Sequence, residues 1–297
     1  MSYAIEARNL SFSYGHHKVL DEIDLTVSSG NFYALLGRNG VGKTTFLKIL
    51  TGLLDPRAGS ATVLGRDTRR IRAEDWLSIG YVSESQKVYD WLSGEELIAF
   101  TRPLYPNWDQ AFCDHLTKQM QLPLKQKVHR YSKGERMKLI LLLAMAFHPR
   151  LLLLDEPFGG LDVLAKEQLI TCLLDTTQQE QWAVLFTSHD LAEVERLSDD
   201  IGLIDTGKLK ISEPLDSLQN RFRRVQAFGI NTFPKIEPSM WQPQKRENDF
   251  SFIETAFSET RHQELRQLLG DRVEIAPMAL REIVLAFFTE TNPTLLP

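Results

Sequence analysis

The most specific chemistry in the chain sits in eight residues, Gly37-Arg-Asn-Gly-Val-Gly-Lys-Thr44. They fit the spacing G-x-x-x-x-G-K-[ST], in which glycines let the backbone wrap around phosphate oxygens with its amides turned inward at a helix N-terminus. Gly37, Arg38, Asn39, Gly40, Val41, Gly42 and Thr45 would form the cradle. Lys43 would reach the β- and γ-phosphates, and the Thr44 hydroxyl would meet Mg²⁺. A chance glycine-rich turn is the bland alternative, and the flanking residues argue against it. Phe32-Tyr-Ala-Leu-Leu36 reads as a buried strand leading in, while Phe46, Leu47 and Leu50 share one helical face leading out.

Two further strand ends carry reactive groups. Leu151-Leu-Leu-Leu-Asp-Glu156 has the leucine run of a parallel strand covered on both faces, ending in two carboxylates. Open α/β sheets bind ligands at that carboxyl edge. Asp155 suits Mg²⁺, and Glu156 suits the polarising of an attacking water. Ala183-Val-Leu-Phe-Thr187 precedes Ser188-His189-Asp190, which sends an imidazole out at the same edge. There it can contact a γ-phosphate. A lone acidic turn or a lone histidine is more often structural; beside a phosphate loop the functional reading takes over.

These groups need a sheet whose strands all end on one side, and the chain has length for it. Its 297 residues allow a large nucleotide-binding domain and a smaller appendage. Net charge is −5, without the basic face that a nucleic-acid ligand requires. Cys113 and Cys172 are too few and too distant for a disulfide framework or metal site. No apolar run approaches the roughly 20 residues of a membrane-spanning helix, and MSYAIEARNL lacks the pattern of a signal peptide. Attachment to a membrane would need another chain, and the cytoplasm is the default location.

The order of these motifs resembles the ABC ATPase family over roughly residues 3–215. The resemblance implies a P-loop NTPase, RecA-like α/β core, an antiparallel β-subdomain built from residues 3–36 and 58–66, and an α-helical signature subdomain over about 88–145. It assigns Tyr14 in Phe12-Ser-Tyr-Gly15 to stacking on adenine, a task for a flat π-face. Tyr131-Ser-Lys-Gly-Glu135 takes the place of the signature, usually Leu-Ser-Gly-Gly-Gln. In the family this segment faces ATP held by a second subunit, so Ser132, Lys133, Gly134 and Glu135 are expected to act in trans, at a helix N-terminus. Gly159-Gly-Leu-Asp162 matches the loop through which paired cassettes touch, with Gly160, Leu161 and Asp162 at its centre.

Two departures stand out. Lys133 and Glu135 replace the usual glycine and glutamine of the signature. Gly80-Tyr-Val-Ser-Glu84 fits the loop that normally ends in a Mg²⁺-binding glutamine, which leaves Glu84 or Gln86 for that place. Neither removes Lys43, Asp155, Glu156 or His189, so the resemblance implies an active ATPase using ATP and Mg²⁺. It further implies a second cassette, a separate membrane permease, and a place on the cytoplasmic face of the membrane. Val88, Tyr89, Trp91 and Leu92 lie where the family receives a helix of its permease. The direction suggested is export.

Beyond Pro214 the resemblance fades, and residues 216–297 are expected to form a small α/β accessory domain. Asp216–Arg224 reads as helix, Pro234, Pro238 and Pro243 mark a loop-rich stretch, and Phe250–Phe257 alternates like a strand. Glu259–Leu269 and Ala279–Phe288 read as helices. The alternative function, a soluble ABC ATPase acting on the ribosome or DNA, meets three obstacles. The chain carries one cassette, and no heptads or paired cysteines lie between Thr44 and Ser132.

Overall fold

A computed structural model describes residues 3–83, 85–230, 234–270 and 272–289. They form two compact units, Met1–Ser212 and Glu213–Pro297. The first unit opens with β1 (Tyr3–Tyr14) and β2 (His17–Ser28), followed by β3 (Phe32–Leu36), α1 (Lys43–Leu50), β4 (Ala58–Val63) and β5 (Arg66–Asp67). Strands β2-β1-β4-β5 make a four-stranded antiparallel sheet. Alternation along β2 sends Leu20, Ile23, Leu25 and Val27 inward, onto a cluster shared with Phe46, Leu47 and Leu50 of α1.

The chain continues through β6 (Ile79–Ser83), α2 (Gly94–Thr101), α3 (Gln110–Gln119), α4 (Lys133–Met145), β7 (Leu151–Asp155), α5 (Val163–Glu180), β8 (Ala183–Ser188), α6 (Leu191–Leu197), β9 (Asp200–Asp205) and β10 (Lys208–Pro214). A second sheet has the order β10-β9-β3-β8-β7-β6. From β9 to β6 its neighbours are parallel. All residues of β3, β7 and β8 are buried, which explains their unbroken apolar runs. Register then fixes the site: Leu36 lies opposite Ser188, and Asp155 opposite both Thr187 and Ser83. Phosphate loop, acidic pair and histidine therefore leave three adjacent strands at one edge. The His189 strand is the middle one.

Helices α2, α3 and α4 lie between β6 and β7 along the chain. Ser93 and Glu96 close a reciprocal capping box on α2, Ser132 and Glu135 close one on α4, and Asp109 caps α3. The Ser132 cap starts α4 at Lys133, within the signature itself. Lys138 of α4 is buried; its ammonium donates to the Met120 carbonyl at the end of α3 and to Gln168 of α5. One cation thus ties three helices together. Among the described residues no helix is long and apolar enough to cross a membrane.

The second unit comprises α7 (Leu215–Arg221), β11 (Arg223–Ala227), β12 (Met240–Arg246), β13 (Asp249–Glu254), α8 (Glu259–Leu269), β14 (Val273–Pro277) and α9 (Leu280–Thr289). The expected helix over Asp216–Arg224 stops at Arg221, because Arg223 and Arg224 already pair in β11. The stretch read as loop from its prolines contains β12. Pro243 is tolerated there because β12 is an edge strand, and its pairing slips in register between Trp241 and Gln244. The sheet order is β12-β13-β11-β14, with Val225, Ala227, Phe250 and Phe252 packed on Leu265 and Leu269 of α8. Phe222, Trp241 and Phe287 of α9 form an aromatic cluster with centroids 4.8–5.6 Å apart.

An acid lies inside this small unit. Glu254 is fully buried, and Arg261 of α8 donates to it from Nε at 2.8 Å while also reaching Glu237 and Glu264. The Ala256 amide and Ser239 hydroxyl complete its hydrogen bonds. Removing the cation leaves a buried carboxylate unpaired. Arg261→Met is therefore expected to destabilise the second unit by about 3–5 kcal/mol, read as a lowered unfolding midpoint in denaturant. An unchanged midpoint would show that solvent reaches Glu254.

Candidate functional site

The loop between β3 and α1 is shaped for phosphate. Gly42 takes φ +117° directly before α1, and a Cβ there would come 2.8 Å from Leu20 and 3.0 Å from the Val19 carbonyl. Gly37 has a Cβ position 2.7 Å from the Ile204 carbonyl, so the loop enters against β9 with no room for a side chain. Only glycine satisfies both positions. The first amides of α1 then face outward without a side-chain cap, as an anion site requires.

Three charged groups converge beside that loop. The Lys43 ammonium is almost wholly buried and donates to the Gly37 carbonyl at 2.7 Å. It also lies 3.1 Å from Glu156 Oε1. The second carboxylate oxygen, Oε2, lies 2.8 Å from His189 Nδ1. Glu156 is thus held between the phosphate-binding lysine and the histidine at the end of the middle strand. Its backbone takes the left-handed conformation (φ +49°), which turns the side chain off the strand and across the edge. Oε1 is buried and makes an ionic contact to Lys43 but no directed hydrogen bond.

Asp155 is buried one residue earlier. Its Oδ1 accepts from the Thr44 hydroxyl at 3.1 Å and from the Thr187 hydroxyl at 2.9 Å. Thr187 also accepts the Glu156 amide at 2.9 Å, so one hydroxyl sets the positions of both carboxylates. The sequence reading placed Thr187 in its strand and gave it no role in the site. Its residue type within a buried apolar run gives no signal; its place opposite Asp155 comes from the register of β7 and β8. Burial pushes the Asp155 carboxyl above the usual range, against the opposing pull of the two threonines. Hydroxyl and carboxylate side by side are hard oxygen donors, the set that Mg²⁺ prefers.

Asn39, Gly40, Gly42, Lys43, Thr44 and Thr45 line one cavity of about 460 Å³ together with Lys133, Glu156, Gly159, Gly160 and His189. Gly37, Arg38, Val41 and Asp155 are not among the lining residues. Tyr14 is half exposed at the turn between β1 and β2, set edge-on against buried Phe12 at 4.9 Å. Ser132 and Glu135 occupy each other in the α4 capping box: Ser132 Oγ accepts from the Glu135 amide at 3.1 Å, and Glu135 accepts from the Ser132 amide at 2.8 Å. Gly134 lies against Ala165 in the first turn of α5, where a Cβ would come within 2.7 Å. The Lys133 ammonium sits over Gly160, and Asp162 caps α5 by accepting from the Ala165 amide at 2.8 Å. Leu161 lies in the same loop, partly exposed.

Glu84 lies outside the described residues. Gln86 accepts from the Ser83 amide at 3.2 Å and lines a separate groove, away from the nucleotide cavity.

The raised pKa of Asp155 has a thermodynamic sign. A carboxyl harder to ionise in the fold than in the unfolded chain favours folding below the ordinary carboxylate range. That favour is lost as pH rises through the folded pKa. At neutral pH the ionised group therefore opposes folding of the nucleotide-free protein. Asp155→Asn, which keeps an oxygen for Thr44 and Thr187, is expected to raise the melting temperature at pH 7 while Mg²⁺-dependent ATP turnover falls. The gain should shrink as pH is lowered towards 4; a lower melting temperature at pH 7 would contradict it.

A family model described as ABC transporter matches residues 20–159. The bacitracin transport ATP-binding protein BcrA of Bacillus licheniformis is 30% identical over 233 residues, 78% of this chain and 76% of that protein. The lantibiotic transport ATP-binding protein SrtF of Streptococcus pyogenes is 31% identical over 217 residues, 73% of this chain and 93% of that protein. A solved ATP-binding subunit of an ABC transporter, 28% identical, superposes with a TM-score of 0.66 over 73% of this chain and 92% of the other. Likeness at this level, across most of each relative's length, means that the chain belongs to the ABC transporter family and is one of its ATP-binding, ATP-hydrolysing subunits.

Proposed function

We propose that two cassettes enclose two ATP molecules head to tail, and that their opening and closing drives transport through a separate membrane permease. The observation that carries this reading is the Glu156 carboxylate, held between Lys43 and His189 at the mouth of the phosphate loop. Each site would combine the phosphate loop and acidic pair of one chain with Ser132, Lys133, Gly134 and Glu135 of the other. The N-terminus of α4 supports this: its capping box uses the Ser132 and Glu135 amides, and the Gly134 amide between them suits a terminal phosphate. Tyr14 would stack on adenine. Gly160, Leu161 and Asp162 would meet the partner cassette.

Entry of the γ-phosphate draws Lys43 away from the Gly37 carbonyl, and Glu156 is then free to polarise a water. The water oxygen bonds to phosphorus as the bond to the β-phosphate oxygen breaks; the water's proton leaves towards Glu156 or the phosphate. His189 holds the γ-phosphate in line. Thr44 and Asp155 would bind Mg²⁺, which neutralises charge building on the phosphate oxygens.

A groove of about 320 Å³ offers a docking place for the permease. It is lined by Gln86, Val88, Tyr89, Leu97, Phe100 and Phe147 among others. Trp91 and Leu104 stand exposed nearby in sequence. The subunit would thus sit peripherally at the cytoplasmic face of the membrane. The relatives named for bacitracin and lantibiotic transport support a transport role; we take its direction to be export. We assign 1–215 to the nucleotide-binding domain and 216–297 to an accessory domain.

Glu156→Gln tests the centre. The variant is expected to bind Mg·ATP, to accumulate as a dimer in light scattering, and to lose turnover by about 100-fold or more in phosphate release. Wild-type turnover would remove Glu156 from its role, and a monomer at saturating Mg·ATP would remove the pairing.

A further inference from the structure

Helix α5 begins at the dimer loop and passes directly beneath the histidine segment. Lys166, in its first turn, donates from Nζ to Asp190 Oδ2 at 2.9 Å and lies 2.6 Å from Glu193 Oε1. Glu193 is buried, and its other oxygen accepts from the Ser188 hydroxyl at 2.5 Å. Ser188 in turn accepts the Asp190 amide at 2.9 Å. Residues on both sides of His189 are therefore fixed to one cation on α5. The same turn of α5 is held at its other end by Asp162, whose carboxylate caps Ala165 and whose carbonyl accepts the Lys166 amide at 3.0 Å. Ala165 is the residue against which Gly134 packs.

These contacts form one continuous line: Gly134 on Ala165, Lys166 on Asp190 and Glu193, and His189 on Glu156. We propose that Lys166 is a positioning residue that sets His189 according to the placement of the α5 first turn. It thereby links the signature and dimer loop, which serve one nucleotide, to Glu156 and His189, which serve the other. The proposal rests on the reading of Glu156 and His189 as the reaction centre of a paired cassette. Each member is short-ranged and directed. The clasp is also stiff, because Glu193 is buried and its two carboxylate oxygens are held by Lys166 and by the Ser188 hydroxyl. Val163 and Leu164, 79% and 68% exposed beside the dimer loop, give a partner apolar surface by which to shift that turn.

Lys166→Met breaks the clasp without touching a group that contacts nucleotide. Turnover by the full chain is expected to fall roughly 10- to 100-fold, the scale of a small misplacement of a reacting group. Affinity for a non-hydrolysable ATP analogue should stay within about twofold, because it depends on the phosphate loop. Lys166→Arg should recover most of the turnover, since a guanidinium can bridge the same two carboxylates. Should Lys166→Met fail to fold, Asp190→Asn keeps the α6 cap at the Ala192 amide and removes only the charge facing Lys166. It is expected to show the same split between turnover and affinity.

Wild-type turnover in the folded variant, or equal losses of affinity and turnover, overturns the proposal. The Glu156→Gln protein separates this from failure of the underlying reading. Loss of turnover there, with full turnover in Lys166→Met, sinks the Lys166 assignment alone. Full turnover in Glu156→Gln sinks both.

Discussion

A lysine and a glutamate held 3.1 Å apart with little access to water stabilise each other's charge, and neither can leave without a substitute. The Lys43–Glu156 pair imposes this constraint on the rest of the nucleotide site. It demands that the phosphate loop and the acidic strand end at the same height, which the parallel register of β3, β8 and β7 supplies. Insertion of β8 between the other two strands places His189 on the opposite oxygen of the same carboxylate. A phosphate chain brings the negative charge that can replace Glu156 beside Lys43. The resting arrangement thus keeps the lysine partnered and the carboxylate aimed.

Much of this centre was legible in the order of residues, because each reactive group follows an apolar run of strand length. A parallel sheet delivers all such ends to one edge, so three motifs distant in sequence imply one site. Thr187 was not legible in that way. A threonine inside a buried strand has the same sequence signature whether it fills space or orients two acids, and only its register opposite Asp155 distinguishes the cases. The same holds for Lys166, which reads as an ordinary charged helix residue until α5 is laid beside Asp190 and Glu193.

The signature shows how local rules and function coincide. Replacing the usual glutamine by Glu135 leaves a residue that closes the α4 capping box, and this alone accounts for the position of the helix start. Lys133 adds a side chain where glycine is usual, and it settles over Gly160 of the dimer loop. The family's glycine cannot make that contact. In the second unit the errors of reading had another source. Proline-based reasoning treats Pro243 as a breaker, yet a strand with only one paired neighbour has amides to spare on its free side. The helix expected to run to Arg224 was cut short by long-range pairing in β11, which overrides local propensity.

Pro243 and the slipped register of β12 also decide how the small sheet behaves towards other molecules. An open strand edge is a template on which a second chain can extend the sheet. A missing amide, an irregular rise, and the exposed charges of Lys245 and Arg246 all spoil that template. The border formed by β12 is accordingly protected from adventitious self-assembly. The opposite border, β14, pairs with β11 without any such slip.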